Sequence, residues 1–416
     1  MFDLEKWQEI YSTLSRHKLR TGLTAFGVFW GIFMLVVLLG ATNGLENGVM
    51  TNFNIQKNTV FMWTERTSKA YMGFQPGRSL RLKTEDTQAI LQNIPEVKTI
   101  APRLRLQGPY TVNRKNKSAS YAVFGDYPSW IDIRPMPMRE GRFVNEKDIA
   151  DRRKIAVIGE RVRDVLFEDG TEPVGQYISI RGIFFKVVGV FGTQRMDDEA
   201  MEELESIYIP NTTLQYTFNQ VGDVGWYAFL PQDNIPASVA EDKVKTLLQE
   251  RHKVDPEDAK AFGSANIEEE YKEVQGLFMG MKGFGWLVSI GTIIAGIIGV
   301  SNIMLIIVRE RTREIGVRKA LGARPSAILS LIIQESLVLT AFSGYFGLVA
   351  GTLLIEAVAQ ALKRFGAEGE FFLNPQIDFS IALMAIGVLV AAGTIAGFLP
   401  AYKAARINPV QALKDE

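Results

Sequence analysis

Side chains able to do chemistry are few in this chain and unevenly placed. There is no cysteine, and the only histidines are His17 and His252. That excludes disulfides, thiolate chemistry and cysteine-histidine metal sets. Neither a G-x-x-x-x-G-K-[ST] loop nor an H-E-x-x-H helix occurs, so no nucleotide cradle or zinc pair of the familiar kinds is present and no bound cofactor or metal is expected. Two features remain. One is a dense charged stretch, Glu310, Arg311, Arg313, Glu314 and Arg318, interrupted by the apolar Ile315 and by Gly316. The other is Glu335, a carboxylate in an otherwise apolar segment. Clustered arginines can pair with carboxylates or fix which side of a membrane a loop occupies. Charge alone favours the second use. Glu335 would cost about 3 kcal/mol at a bilayer centre on insertion scales, so a structural pairing with the basic loop near the cytoplasmic face is expected of it.

The elements that position these residues follow from where charge is absent. The chain has 416 residues, 22% of them charged, with 46 basic and 46 acidic side chains. Zero net charge removes any bulk electrostatic argument for nucleic-acid binding. Residues 21–45, 283–308, 336–355 and 379–402 form uncharged runs of 25, 26, 20 and 24 residues. Each matches the roughly 20 mainly apolar residues that a spanning helix needs. A purely soluble protein is excluded. Spans are expected at 21–45, 283–308, 326–356 and 379–402. Lys6, Arg16, Lys18 and Arg20 before the first, and the arginines and lysines of the loop 309–325, should lie in the cytoplasm with the tail 403–416. Segment 46–282 then lies outside, and 357–378 is a short outer loop. Leu4, Trp7, Tyr11 and Leu14 put one apolar face on residues 1–20, which suits an amphipathic helix lying in contact with membrane lipid. Ile267, Tyr271, Val274 and Phe278 repeat that spacing ahead of the second span, as a stalk would. Gly27 with Gly31, Gly347 with Gly351 and Gly393 with Gly397 make G-x-x-x-G pairs inside spans, suited to close helix packing either within the chain or in a dimer.

The outer segment reads as mixed. Thr59–Trp63, Ser120–Phe124, Lys154–Ile158, Gln176–Ile180, Phe184–Phe191 and Ser206–Ile209 are rich in β-branched and aromatic residues between turn formers. Helices are expected over Thr84–Asn93, with Thr84 as N-cap, and over Ala237–Arg251. The fold class is an α-helical membrane protein with four transmembrane helices and a large α+β extracytoplasmic domain between the first and second.

Two longer motifs carry a resemblance. Asn302-Ile303-Met304 followed by Glu310-Arg311-Thr312-Arg313-Glu314-Ile315-Gly316-Val317-Arg318-Lys319-Ala320-Leu321-Gly322-Ala323 resembles the signature of MacB/FtsX-type ABC transporter permeases. Pro400-Ala401-Tyr402-Lys403-Ala404-Ala405-Arg406-Ile407-Asn408-Pro409-Val410-Gln411-Ala412-Leu413 is similar to the family's closing motif. Gly125-Asp126, Glu140-Gly141-Arg142, Val157-Ile158-Gly159, Val174-Gly175, Val188-Gly189-Val190 and Ile209-Pro210 follow the order of the MacB periplasmic domain.

The resemblance implies a non-catalytic permease of the bacterial inner membrane. Its partners would be a cytoplasmic ABC ATPase on a separate chain, which holds the ATP and magnesium, and a second permease as homodimer or heterodimer. A periplasmic adaptor and an outer-membrane channel are further implied partners. It also implies a two-lobed outer domain, with a membrane-proximal lobe of 46–125 and 211–282 and an inserted lobe of 126–210. ATPase closure would move the stalk, and the outer domains would then expel a hydrophobic compound or peptide or release a lipoprotein. The alternative is an FtsX-like regulator of cell-wall hydrolases that transports nothing; the large outer domain favours transport. The matched motif turns Glu310–Ala323 from a topology loop into a coupling helix for the ATPase, with Ile315 as its apolar knob and Arg311, Arg313 and Arg318 available for carboxylates.

Overall fold

The computed structural model describes residues 18–52, 55–108, 111–167, 170–193, 198–365, 372–373 and 379–407. The expected helix around Leu4, Trp7, Tyr11 and Leu14, the tail beyond Ile407 and residues 366–371 and 374–378 lie outside this set. The chain divides into two compact units, one from Met50 to Gln275 and the other from the segments before and after it.

Helix α1 (Lys18–Asn52) opens the membrane unit. The outer unit then runs β1 (Val60–Thr64), β2 (Leu82–Lys83), α2 (Thr84–Asn93), β3 (Val97–Arg105), β4 (Thr111–Arg114), β5 (Lys117–Ser120), β6 (Ala122–Asp126), α3 (Trp130–Ile133), β7 (Met138–Gly141), α4 (Glu146–Ala150), β8 (Ile155–Gly159) and α5 (Glu160–Leu166). It continues with β9 (Tyr177–Ile180), β10 (Ile183–Phe191), α6 (Asp198–Leu204), β11 (Ser206–Pro210), α7 (Asn211–Thr217), β12 (Asp223–Val224), β13 (Trp226–Pro231), α8 (Ala237–Arg251) and β14 (Phe262–Asn266). Every strand expected from the sequence is present within two residues. β8 and β11 are buried along their whole length, which is why β8 reads as an unbroken apolar run and not as an alternating one.

All of these strands but β2 and β12, which pair with each other, join one mixed sheet in the order β14-β1-β13-β3-β6-β11-β8-β10-β9-β4-β5, with β7 added on β10. Gly141 in β7 has φ +67, and a Cβ there would lie 2.1 Å from the Val188 carbonyl oxygen. Only glycine allows β7 to close on β10. One core gathers Val60, Met62, Tyr227 and Phe229 under α2 and α8. A second gathers Leu106, Val112, Val123, Ile158, Ile180 and Ile207. The lobe boundary therefore differs from the expected one at 125/126. β3 belongs to both lobes, pairing with β13 up to Arg103 and with β6 at Leu104 and Arg105. β4, β5 and β6 sit with the inserted lobe, because β6 runs parallel to β11 and the β4/β5 hairpin pairs with β9.

In the membrane unit, α9 (Ile267–Glu310) is one uninterrupted helix of 44 residues that includes the stalk spacing. The short α10 (Thr312–Ala320), α11 (Pro325–Phe365) and α12 (Phe379–Ala405) follow. Four of these helices are long and apolar enough to cross a bilayer, over Thr21–Met50, Ile267–Glu310, Pro325–Arg364 and Ser380–Ala405. Their shared core includes Ile32, Leu35 and Val36 of α1, Val300 and Met304 of α9, and Ala385 and Ala396 of α12.

Helix α2 is capped otherwise than expected. Thr84 is its first helical residue, and Asp86 closes the turn by accepting from the Lys83 N–H at 2.9 Å. Asp86 is 3% exposed. It also accepts from Arg251 Nε at 2.8 Å and shares a 2.9 Å hydrogen bond with His252 Nε2, tying α2 to α8. Burial pushes its pKa up, but the bonds from His252, Arg251 and Lys83 overcome this and bring it down to about 2. With an unfolded value near 3.9 this contributes about 2–3 kcal/mol, whole above about pH 4 and lost as pH falls through about 2. Asp86→Asn is expected to remove about that much from the outer unit at pH 7 and about half as much at pH 3. Urea titration of a fragment spanning 50–275 at both pH values checks this; an equal loss at both would show that the carboxylate charge is not what stabilises the joint.

Candidate functional site

The charged stretch between the second and third spans folds into a braced corner. Arg311, at φ −94 and ψ 11, separates α9 from α10. Thr312 Oγ1 donates back to the carbonyls of Val308 and Arg309 at 3.1 and 2.8 Å, which secures the last turn of α9. Gly322, at φ +95, ends the segment after α10, and the Ala323 N–H reaches back to the Arg318 carbonyl at 3.0 Å. A glycine in this conformation is the usual helix stop.

Three contacts hold α10 against its own chain. Ile315 is 7% exposed and packs among Val308, Ile328, Ile332, Ala401 and Ala404. Lys319 Nζ donates to the carbonyls of Ala405 and Ile407 at 2.8 and 2.7 Å, at the end of α12. Arg311 Nη1 donates to Glu335 Oε1 at 3.0 Å, and Glu335 is 3% exposed. A cavity of about 20 Å³ remains between Ile307, Arg311, Glu314, Ile315 and Glu335, room for about one water.

Of the residues singled out from sequence, Arg311, Ile315, Gly316 and Glu335 thus turn inward, while Glu310, Arg313 and Glu314 are exposed. Ile315 is not an outward knob. Ala401 and Ala404 are small enough to let it reach the core, so the two motifs that lie far apart in sequence are one packed structure. Arg318 Nη2 pairs with Glu314 Oε1 at 2.8 Å across one turn. The apolar side chains that α10 and its end turn outward are Val317, 42% exposed, and Leu321, 84% exposed. The signal was available: Ile315 and Val317 lie two residues, hence 200°, apart on a helix and cannot share a face, whereas Val317 and Leu321 are one turn apart.

The paired glycines all serve packing inside the chain. A Cβ on Gly27 would meet Gly296, and one on Gly31 would meet Ile293, both in α9. Gly347 and Gly351 lie against Phe29, Phe33 and Val36 of α1, and Gly393 and Gly397 against Leu337, Thr340 and Ser336 of α11. The hypothetical Cβ of Gly347 would fall 2.5 Å from the Phe29 carbonyl oxygen. None of the three pairs is left over for a contact with a second copy alone.

Residues 21–249 match the family model described as MacB-like periplasmic core domain. The chain belongs to that family. Residues 286–409 match the FtsX-like permease C-terminal model, which takes in α10 and its brace. The chain is 30% identical over 418 residues to the pyoverdine export ATP-binding/permease protein PvdT of Pseudomonas entomophila, covering 99% of this chain and 60% of that protein. It is 24% identical to the macrolide export ATP-binding/permease protein MacB of Syntrophobacter fumaroxidans, covering 100% and 64%. The chain thus spans about three fifths of the length of these relatives. The crystal structure of the periplasmic region of MacB from Actinobacillus actinomycetemcomitans aligns with a TM-score of 0.43 at 19% identity, over 55% of this chain and 97% of that one.

Removing one member of a buried ion pair strands the other, whereas replacing both with apolar side chains is often neutral. Arg311→Ala is accordingly expected to cost about 3 kcal/mol, and Arg311→Met with Glu335→Leu much less. Thermal unfolding of the purified chain and its variants in detergent reads the order; a double variant as unstable as Arg311→Ala would mean that the pair does not set the cost.

Proposed function

We propose that this chain is the permease part of an ABC exporter and that α10 receives the ATPase stroke. The observation that carries the reading is a short helix, braced at three points against α9, α11 and α12, that presents Val317 and Leu321 between the charges of Arg313 and Glu314. A helix that merely fixed topology would need its positive charge and not an outward apolar pair. Bracing matters because a push on a loosely held helix would be dissipated in local motion, whereas here it bears on the ends of three spans. Family membership and the ATP-binding/permease relatives support the same reading.

In this mechanism the ATPase docks on the cytoplasmic side, holds ATP and magnesium, and closes. Its groove grips Val317 and Leu321, and α9 carries the movement outward. The permease itself catalyses nothing. Its place is the bacterial inner membrane with the termini and α10 in the cytoplasm and 50–275 in the periplasm, working beside a second permease copy or a related chain. A periplasmic adaptor and outer-membrane channel complete an export route for a hydrophobic compound or peptide.

Replacing Val317 and Leu321 with Asp leaves Ile315, Lys319 and the Arg311–Glu335 pair untouched. The variant should insert and fold normally but retain about a tenth or less of the ATPase that copurifies with wild type, since buried apolar anchors dominate such interfaces. Ile315→Ala should instead lower stability by about 2–4 kcal/mol through the cavity it leaves. Full ATPase retention by the Val317, Leu321 variant would put docking elsewhere.

Orientation is tested separately, since the chain lacks natural cysteines. Single cysteines at Ser118 and Gln232 should label with a membrane-impermeant thiol reagent in intact spheroplasts, and one at Thr312 only after lysis. Labelling of the Thr312 position from outside would reverse the topology.

A further inference from the structure

The outer unit holds a polar cleft of about 280 Å³, enough for about nine waters at ~30 Å³ each. Its floor is one face of the sheet where β3, β6 and β11 lie side by side. Arg105 is in register with Phe124, Phe124 with Tyr208, and Ala122 with Ser206. Alternation sends the intervening Leu104, Val123 and Ile207 to the opposite face, into the core. The wall is an ion pair between Arg134, just past α3, and Glu203 of α6, joined by a single 2.8 Å bond from Nη2 to Oε2.

Charge restricts what the cleft can hold. Arg103 beneath it is bidentate to Asp126 at 2.6 and 3.0 Å, with its guanidinium 3.7 Å from the centre of the Trp130 ring. Arg134 already has Glu203. These two guanidinium groups each carry their own carboxylate, and Arg105 and Glu202 add one charge of each sign to the lining, so neither an anion nor a cation is called for by an unbalanced charge. Hydrogen bonding is what remains open. The single-bond geometry of the wall pair leaves Glu203 Oε1 and Arg134 Nε buried with no hydrogen-bond partner among the described residues, although Glu203 is only 6% exposed. Unsatisfied buried groups of this kind are costly, and one acceptor beside one donor complements a group carrying one of each.

We propose that this cleft binds the backbone of a peptide. The peptide group is uncharged and planar, with an N–H to give to Glu203 Oε1 and a carbonyl to accept from Arg134 Nε, and the flanking side chain lies against Phe124. Such a ligand satisfies both unpartnered atoms at once, which an apolar ligand cannot do. The site lies wholly in the outer unit, and its occupation does not depend on ATPase docking at Val317 and Leu321.

The probe is N-acetyl-phenylalanyl-alanine amide, titrated calorimetrically into the full chain in lipid nanodiscs, beside the depsipeptide in which the central N–H is an ester oxygen. The peptide is expected to bind and the ester to bind about tenfold more weakly, because the ester leaves Glu203 Oε1 without a donor. Glu203→Gln should erase that difference. Ala122→Trp, which fills the cleft without touching the ion pair, should abolish binding. The Val317→Asp, Leu321→Asp variant should bind as wild type does. Absence of binding by the wild type up to about 10 mM peptide, equal affinity for peptide and ester, or binding that survives Ala122→Trp would each overturn the proposal. The peptide-ester comparison uses unaltered protein and so holds even where a substituted chain fails to fold.

Discussion

A carboxylate taken out of water among apolar helices must bring its counter-charge with it, and this one requirement organises the end of the membrane unit where α9 gives way to α10. Glu335 sits on α11, one of the longest helices, and its partner Arg311 sits where α9 gives way to α10. The partner cannot move far without stranding a buried charge. Fixing Arg311 fixes the break between the helices, and the break sets the rotation of α10 about its axis. Rotation decides that Ile315 enters the core of α11 and α12 and that Val317 and Leu321 do not. Lys319, on the last turns of α10, then donates to the Ala405 and Ile407 carbonyls at the end of α12.

The spans obey a different constraint. Without a hydrophobic driving force between helices in lipid, association rests on close contact. Glycine supplies the closeness at each of the three helix pairs, α1 with α9, α1 with α11, and α11 with α12. α1 is thereby approached closely on two sides, by α9 at Gly27 and Gly31 and by α11 at Gly347 and Gly351. The exposed sides carry the bulk instead, with Leu23 and Phe26 on α1, Phe284 and Leu287 on α9, and Phe398 on α12.

Much of this was readable in the sequence, for identifiable reasons. Spanning helices announce themselves because charge is excluded along whole runs, and a strand such as β8 because full burial leaves no polar residue in it. What escaped was pairing over distance. The sequence does not say that Arg103 will find Asp126, that β3 will serve two lobes, or that Asp86 rather than Thr84 will cap α2, because each depends on which neighbour the sheet or helix happens to offer. The orientation of Ile315 was missed for a more local reason. Attention to an apolar residue flanked by charges suggested a protrusion, when helical periodicity already separated it from Val317. The polar cleft on β3, β6 and β11 left no trace in the sequence at all, since its six floor residues come from three separate segments and meet only through strand register.

The order of the sheet puts both ends of the outer unit's chain at one edge. The chain arrives from α1 through β1 and leaves to α9 from β14, and these two strands are immediate neighbours at one extreme edge. The β4/β5 hairpin closes the other edge, ten strand steps away, on the order of 48 Å along the sheet at ~4.8 Å per step. No linker interrupts that path, because β3 threads both lobes and its ladder bonds would have to break before the lobes could bend apart. A rotation of the sheet by about 5° about its β1/β14 edge would therefore displace the hairpin tip by roughly 4 Å. Large excursions at the far edge need only small ones at the root.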